Sequence, residues 1–490
     1  MSLDPPAYIL SLQNNIRARP ISWEGAVRAK TITDADLKKI KAIDKVRKEQ
    51  RKQTVEAELK TYTALLLGHG ATKSIFEGAA KRTDILQYML VLTGDLVEDI
   101  PALTDALIAH PHPYAPLLPL LKQSNNAEDP IPLLASAVLA ALLARALVAH
   151  PKSTPAIDAA LPKLYTYIAA LAATADSNLQ DIAVQEYSAL LRTSKSRQQF
   201  WRQRTETLTP LVEVLRQATG GRDSESTLYN AAGSSAASSI RTAAEGSSSS
   251  NQLGGGVGLQ LLYHVLMALW QLSFEGRLVG AGLDEEHDII PLYAQLLRVS
   301  PKEKTTRLLL GTLYNLLSFN QATLMPAALA ANLGTVLANL KTRHLNDEDL
   351  LEDLDKLTTM MGEYTSSRTT LATYAAELST GHLRWSPPHK NTQFWQDNAL
   401  AIISQDNGAL LKQLAEILAK SWDADKQVLA IGCSDVAALV KACPEKRAVL
   451  ETFGLKGRVM GLMQDGDEGV RWESLRAVGE WLRYNVGGGE

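Results

Sequence analysis

The chain has 490 residues, 46% of them hydrophobic and 21% charged. That length is too great for one compact core and predicts several domains or an extended repeat array. Its 50 basic and 53 acidic residues leave a net charge of −3, which excludes the strong positive field of a nucleic-acid binder or of a protein drawn to anionic membranes.

Alanine and leucine dominate, and β-branched residues do not alternate, so helices are expected throughout. Residues 1–15 lack a basic start followed by an apolar run, and no signal peptide is expected there. Over residues 34–59, Leu37, Ile40, Ile43 and Val46 recur every three positions and predict an amphipathic helix. Its stretch 38–52 carries eight Lys or Arg and reads as a solvated or protein-facing surface. At 68–74 the glycine that a phosphate loop needs before Lys73 is replaced by Thr72, so a helix C-cap and turn is expected. His110 and His112 flank Pro111 with no further ligand type at useful spacing, which predicts an inter-helix turn. Residues 131–149 form an Ala/Leu run broken by Arg145. A mid-span arginine costs about 2.5–3.5 kcal/mol on insertion scales, so a buried helix is expected rather than a membrane span. Leu179, Ile182, Ala183, Tyr187, Leu190 and Leu191 trace another helical stripe.

Residues 219–256 are rich in Ser, Gly and Ala and cannot bury enough apolar surface to offset their ordering entropy; a flexible loop is expected. The acidic run 347–355 lacks calcium-loop spacing and reads as an acidic first helical turn. Gly381 suits a helix C′ position, and Pro387 and Pro388 predict non-helical backbone around Trp385 to His389. A hinge is therefore expected at 379–382, between an N-terminal array (1–378) and a C-terminal domain (383–490). Cys433 and Cys443 read as buried thiols. With no N-x-S/T sequon, a reducing cytosolic location fits.

Two internal similarities point to repeats. Leu269-Trp270-Gln271-Leu272 matches Leu313-Tyr314-Asn315-Leu316 after 44 residues. Asp425-Lys426-Gln427-Val428 matches Asp467-Glu468-Gly469-Val470 after 42, pairing Cys433 with Leu475, Val436 with Val478 and Leu439 with Trp481. Armadillo and HEAT repeats run about 40–47 residues, so the expected fold is an all-α, armadillo/HEAT-like solenoid in two parts. No paired carboxylates, nucleophile elbow or nucleotide loop is found, which predicts a non-enzymatic chain without cofactor or metal.

The string Leu383-Arg384-Trp385-Ser386-Pro387-Pro388-His389-Lys390, followed by Phe394-Trp395 and Asn398, closely resembles the C-terminal domain of the H-subunit family of V-type proton-translocating ATPases. The resemblance runs on through Asp435, Pro444, Gly454, Asp467 and Val470-Arg471. Ile21-Ser22-Trp23-Glu24-Gly25 is similar to the family's opening motif. The chain departs from the pattern at Ala437 and Ala438, where Gly-Glu is usual. The resemblance implies a regulatory component of the pump's cytosolic sector. Its large domain would bind the E and G subunits of the peripheral stalk, and its small domain the cytosolic region of the membrane-embedded a-subunit. In the detached sector it would act on the catalytic-sector subunits and silence ATP hydrolysis. It also implies a peripheral position on the cytosolic face of vacuolar and other acidic-organelle membranes, with no membrane insertion and no nucleic acid. A generic armadillo/HEAT adaptor is the alternative, which lacks the Trp-Ser-Pro-Pro-His module. Candidate interface residues are Trp23, Trp385, Ser386, Pro387, Pro388, His389, Lys390, Phe394 and Trp395. Trp385 and Trp395 are expected to anchor the segment, leaving His389 and Lys390 exposed.

Overall fold

A computed structural model describes residues 6–70, 72–122, 127–152, 154–220, 257–300 and 302–483; most of the Ser/Gly-rich segment expected to be a loop lies outside them. Among the described residues every regular element is helical, and the chain is an all-α solenoid. It divides into two compact units, Met1–Leu324 with Leu345–Asp353, and Met325–His344 with Leu354–Glu490.

In the first unit, helix Thr83–Asp99 packs on Pro130–Ala149, that on Ser177–Leu190, that on Leu259–Ser273, and that on Glu303–Phe319. Each start is written locally. Pro130 and Pro155 stand in first turns, where a missing N–H costs nothing. Asp129, Thr154 and Asp176 accept from the free N–H groups just inside their helices. The 44-residue similarity falls on neighbouring rungs: Leu269, Leu272, Leu313 and Leu316 are all buried. Its polar position repeats as well. Gln271 Nε2 donates to Ser188 O at 3.1 Å, and Asn315 Nδ2 to Ser273 Oγ at 2.9 Å, each reaching back to the preceding rung.

Helix Pro130–Ala149 is long and apolar enough to cross a membrane, as are two bent helix pairs if each is taken as one span, but 67% of its apolar window is buried inside the fold. A helix hydrophobic on all sides belongs in a core, and Arg145 reaches out to Asp105 at 2.9 and 3.0 Å. The single helix expected over 34–59 is instead interrupted after Ile43, and helices Asp34–Ile43 and Lys48–Ala57 flank a turn. Lys45 takes a left-handed φ of 53° there. Tyr88 Oη holds Asp44, and Arg51 Nε caps Ile43 O at 3.2 Å, so the turn satisfies the carbonyl that an unbroken helix would have used. At 68–74, Gly68 ends one helix and Ser74 opens the next with a capping box to Glu77, giving the expected turn.

The second unit gathers helices Leu371–Thr380, Thr392–Ser404, Ala409–Ala419, Gln427–Ala442, Leu455–Leu462 and Glu468–Arg483 around one core. Tyr374 and Leu378, placed by the sequence before the hinge, belong to this core. Both cysteines are buried and free. The 42-residue match holds for Val470 and Trp481, which are buried, but Leu475, the equivalent of buried Cys433, is exposed. The Cys433 helix packs against several helices, whereas Trp472, Leu475 and Leu482 of the final helix are exposed.

Candidate partner-facing site and a buried ionic knot

The segment 383–395 starts from buried Leu383, with Trp385 half-buried. The backbone expected to be non-helical at the prolines forms a short helix, Pro387–Lys390, with both prolines in its first turn, where proline is tolerated. Asn391 then accepts from Phe394 N at 3.0 Å and opens helix Thr392–Ser404. That turn drives Phe394 and Trp395 inward, where their rings lie 5.7 and 5.3 Å from Tyr374.

His389 was expected to be exposed, and its side chain is instead fully buried. The rigid proline turn delivers its ring between two carboxylates. Nδ1 lies 2.7 Å from Asp435 Oδ1. Nε2 lies 3.2 Å from Glu377 Oε1, in ion-pairing range but without hydrogen-bond alignment. Tyr374 Oη donates to the other oxygen of Asp435 at 3.2 Å. Glu377 also accepts from Arg384 N at 2.7 Å and from Ser386 Oγ at 2.5 Å. Burial works against the imidazolium, but the charge and hydrogen bond of Asp435, joined by Glu377, overcome it and push His389 up to about 10. Burial likewise opposes the Glu377 charge, and His389 with Ser386 and the Arg384 N–H holds that carboxyl below its ordinary value. The knot therefore ties helices Leu371–Thr380, Pro387–Lys390 and Gln427–Ala442 together.

The outward part of the segment is smaller than expected. Trp385, Ser386, Pro387 and Lys390 line a cleft of about 540 Å³ with Leu329 and Thr365. Lys390 Nζ sits 5.4 Å from the Trp385 ring centroid and 3.5 Å from Asn332 Oδ1, and desolvation lowers its pKa. Pro388, His389, Phe394 and Trp395 are interior. Trp23 belongs to the first unit, half-buried and edge-on to Tyr88 at 5.7 Å.

Sequence reasoning missed the partners of His389, which lie 12 and 46 positions away with no local signal. It also missed an exposed pair in the first unit. Phe274 and Phe319, each 50% exposed, lie 6.0 Å from Arg197 and 5.2 Å from Arg277. Aromatic and arginine side chains are the types that dominate protein interfaces, and the recurrence of Phe just past each repeat string was the available clue. Among the described residues no group of three His, Cys, Asp or Glu is placed to hold a metal ion.

Fold and site define a helical-repeat solenoid whose His389 ionic cluster is turned inward and whose outward features are aromatic, cationic and concave. Two domain models, both describing the H subunit of the V-ATPase, match residues 7–361 and 367–486. The chain belongs to the V-ATPase H-subunit family. It is 27% identical over 482 residues to the V-type proton ATPase H subunit of Drosophila melanogaster, covering 96% of this chain and 89% of that one. Dictyostelium discoideum has a protein of the same description, 23% identical over 96% of this chain and 93% of its own. A probable V-type proton ATPase H subunit of Caenorhabditis elegans is 32% identical over 46% of this chain and 51% of its own. Among solved structures, an engineered protein is similar over 92% of this chain and 99% of its own, with 12% identity and a TM-score of 0.40.

Proposed function

We propose that the chain is a non-catalytic regulatory component of the cytosolic sector of a V-type proton pump. The observation that carries this reading is the pair of H-subunit matches at 7–361 and 367–486. In this reading the first unit holds the E and G subunits of the peripheral stalk, and its exposed Phe274 and Phe319 with their arginines supply anchors of the right chemistry. The second unit meets the cytosolic region of the membrane-embedded a-subunit in the assembled pump. In the detached sector it contacts the catalytic subunits and suppresses ATP hydrolysis. Trp385 and Lys390, beside the 540 Å³ cleft, take the partner-facing role, and His389 only positions them. The protein is peripheral on the cytosolic face of acidic-organelle membranes and cytosolic when detached.

The test adds the purified chain to a cytosolic sector stripped of its own H subunit and follows the ATPase rate. Suppression is expected, and Trp385→Ala with Lys390→Ala should weaken it. An unchanged rate on adding the parent chain sinks the regulatory reading. Full suppression by the double variant removes the role of the cleft alone.

A further inference from the structure

The final helix, Glu468–Arg483, packs on Gln427–Ala442 through Val470, Ser474, Ala477 and Trp481, all buried. At 3.6 residues per turn, Trp472, Leu475, Gly479 and Leu482 fall on the opposite face. Trp472 is 69% exposed, Leu475 49% and Leu482 58%. Such a stripe is spaced for a helix partner rather than scattered. The repeat says what it is for. Moved back by 42 residues, these positions are Ala430, Cys433, Ala437 and Val440, every one of them buried. The face that is covered in one repeat is thus bare in the next.

Charge selects the occupant. Arg476 and Arg483, with side chains 48% and 66% exposed, line one edge of the stripe. Their own-helix partners Glu473 and Glu480 lie farther round toward the buried side, mostly covered, and Arg476 Nη2 also donates to Ser434 Oγ of the helix beneath at 2.7 Å, so Arg483 is the freer of the two. A second copy of this chain docked antiparallel, as helix dipoles favour, would set that arginine edge against its own equivalent. We propose that the outer face of the final helix docks an amphipathic helix of a different protein. That helix presents apolar residues at i, i+3 or i+4, and i+7, and carboxylates along the edge facing Arg476 and Arg483.

The test titrates the full chain by calorimetry with two synthetic amphipathic peptides that share one leucine stripe, one flanked by Glu and the other by Lys. The Glu peptide should bind roughly tenfold more tightly than the Lys peptide, as expected for complementary edges. Trp472→Asp should weaken it by on the order of tenfold, as loss of an anchor does. Arg476→Glu with Arg483→Glu should reverse the preference. Leu482→Asp repeats the stripe test should Trp472→Asp misfold. Equal binding of the two peptides, or binding untouched by both Asp variants, overturns the proposal. So does a dimer in sedimentation velocity that Trp472→Asp dissolves, which gives the face to a second copy. Stronger peptide binding after removal of residues 484–490 gives it to the chain's own tail and also overturns the proposal.

Discussion

Glu186 in the first unit and Asp435 in the second are both buried carboxyl groups on solenoid helices. Glu186 has only a hydroxyl for company: Ser136 Oγ donates to one oxygen at 2.9 Å, and the other has no partner. Burial pushes this carboxyl up to about 8, against the pull of Ser136. Burial also raises Asp435, but His389 and Tyr374 oppose it. One carboxyl is kept by a proton, the other by a buried imidazolium. A protonated Glu186 bridges neighbouring rungs of a ladder that is already in contact. The Asp435 knot fastens a short helical turn and a flanking helix onto the centre of a small domain. Ionic groups are expensive to bury, and their best-supported role is to fix one arrangement among several.

Removing the cation should have the largest effect. His389→Leu leaves Glu377 and Asp435 buried without it and should cost the second unit about 3–5 kcal/mol. Hydrogen exchange across Gln427–Ala442 under increasing urea reads this. A loss no larger than that from Glu186→Gln in the first unit would erase the contrast.

Acidity separates the two carboxyls next. Between about 6.5 and 10 the folded second unit keeps a proton on His389 that the unfolded chain has lost. Its stability contribution is therefore full below 6.5 and drains away toward 10, at about 1.4 kcal/mol per pH unit. Glu186 also binds its proton more tightly when folded, so the first unit loses stability from about 4.5 to 8 and levels off above that. From pH 8 to 9.5 the second unit should weaken by about 2 kcal/mol more than the first. His389→Gln should flatten the second profile and Glu186→Gln the first. Parallel profiles in the parent chain would contradict the assignment of the two protons.

Smaller steps refine the picture. Tyr374→Phe removes a donor to a charged carboxylate and should cost about 1.5–3 kcal/mol. Ser136→Ala removes one from a neutral carboxyl and should cost about 0.5–1.5 kcal/mol at pH 7, and more above pH 8, where the donor faces a charged carboxylate. Urea midpoints measured at pH 7 compare the two, and a reversed order would mean that Glu186 carries the charge.

The ladder was legible in the sequence because Leu269 and Leu313 occupy the same buried place in successive rungs, and burial preserves residue type. The Trp385 to Trp395 string was legible as a motif, but the direction of its side chains was not. Proline on either side of a helix start looks alike in sequence. His389 reads as a surface residue until Glu377 and Asp435, distant in the chain, are brought to it. The same limit applied to residues 34–59, whose period-three stripe runs through the left-handed turn at Lys45. It applied again to Leu371–Thr380, whose helix was expected before the hinge although Tyr374 closes the second core.

Cys433 gives the second unit a chemical clock. Its thiol is fully buried in the helix on which the final helix packs, and burial pushes it up to about 12. Thiolate and access are both needed for alkylation, and the packed unit denies both. Iodoacetamide should therefore label Cys433 only in molecules that have momentarily opened. The labelling rate then reports how often this domain breathes, without any engineered probe.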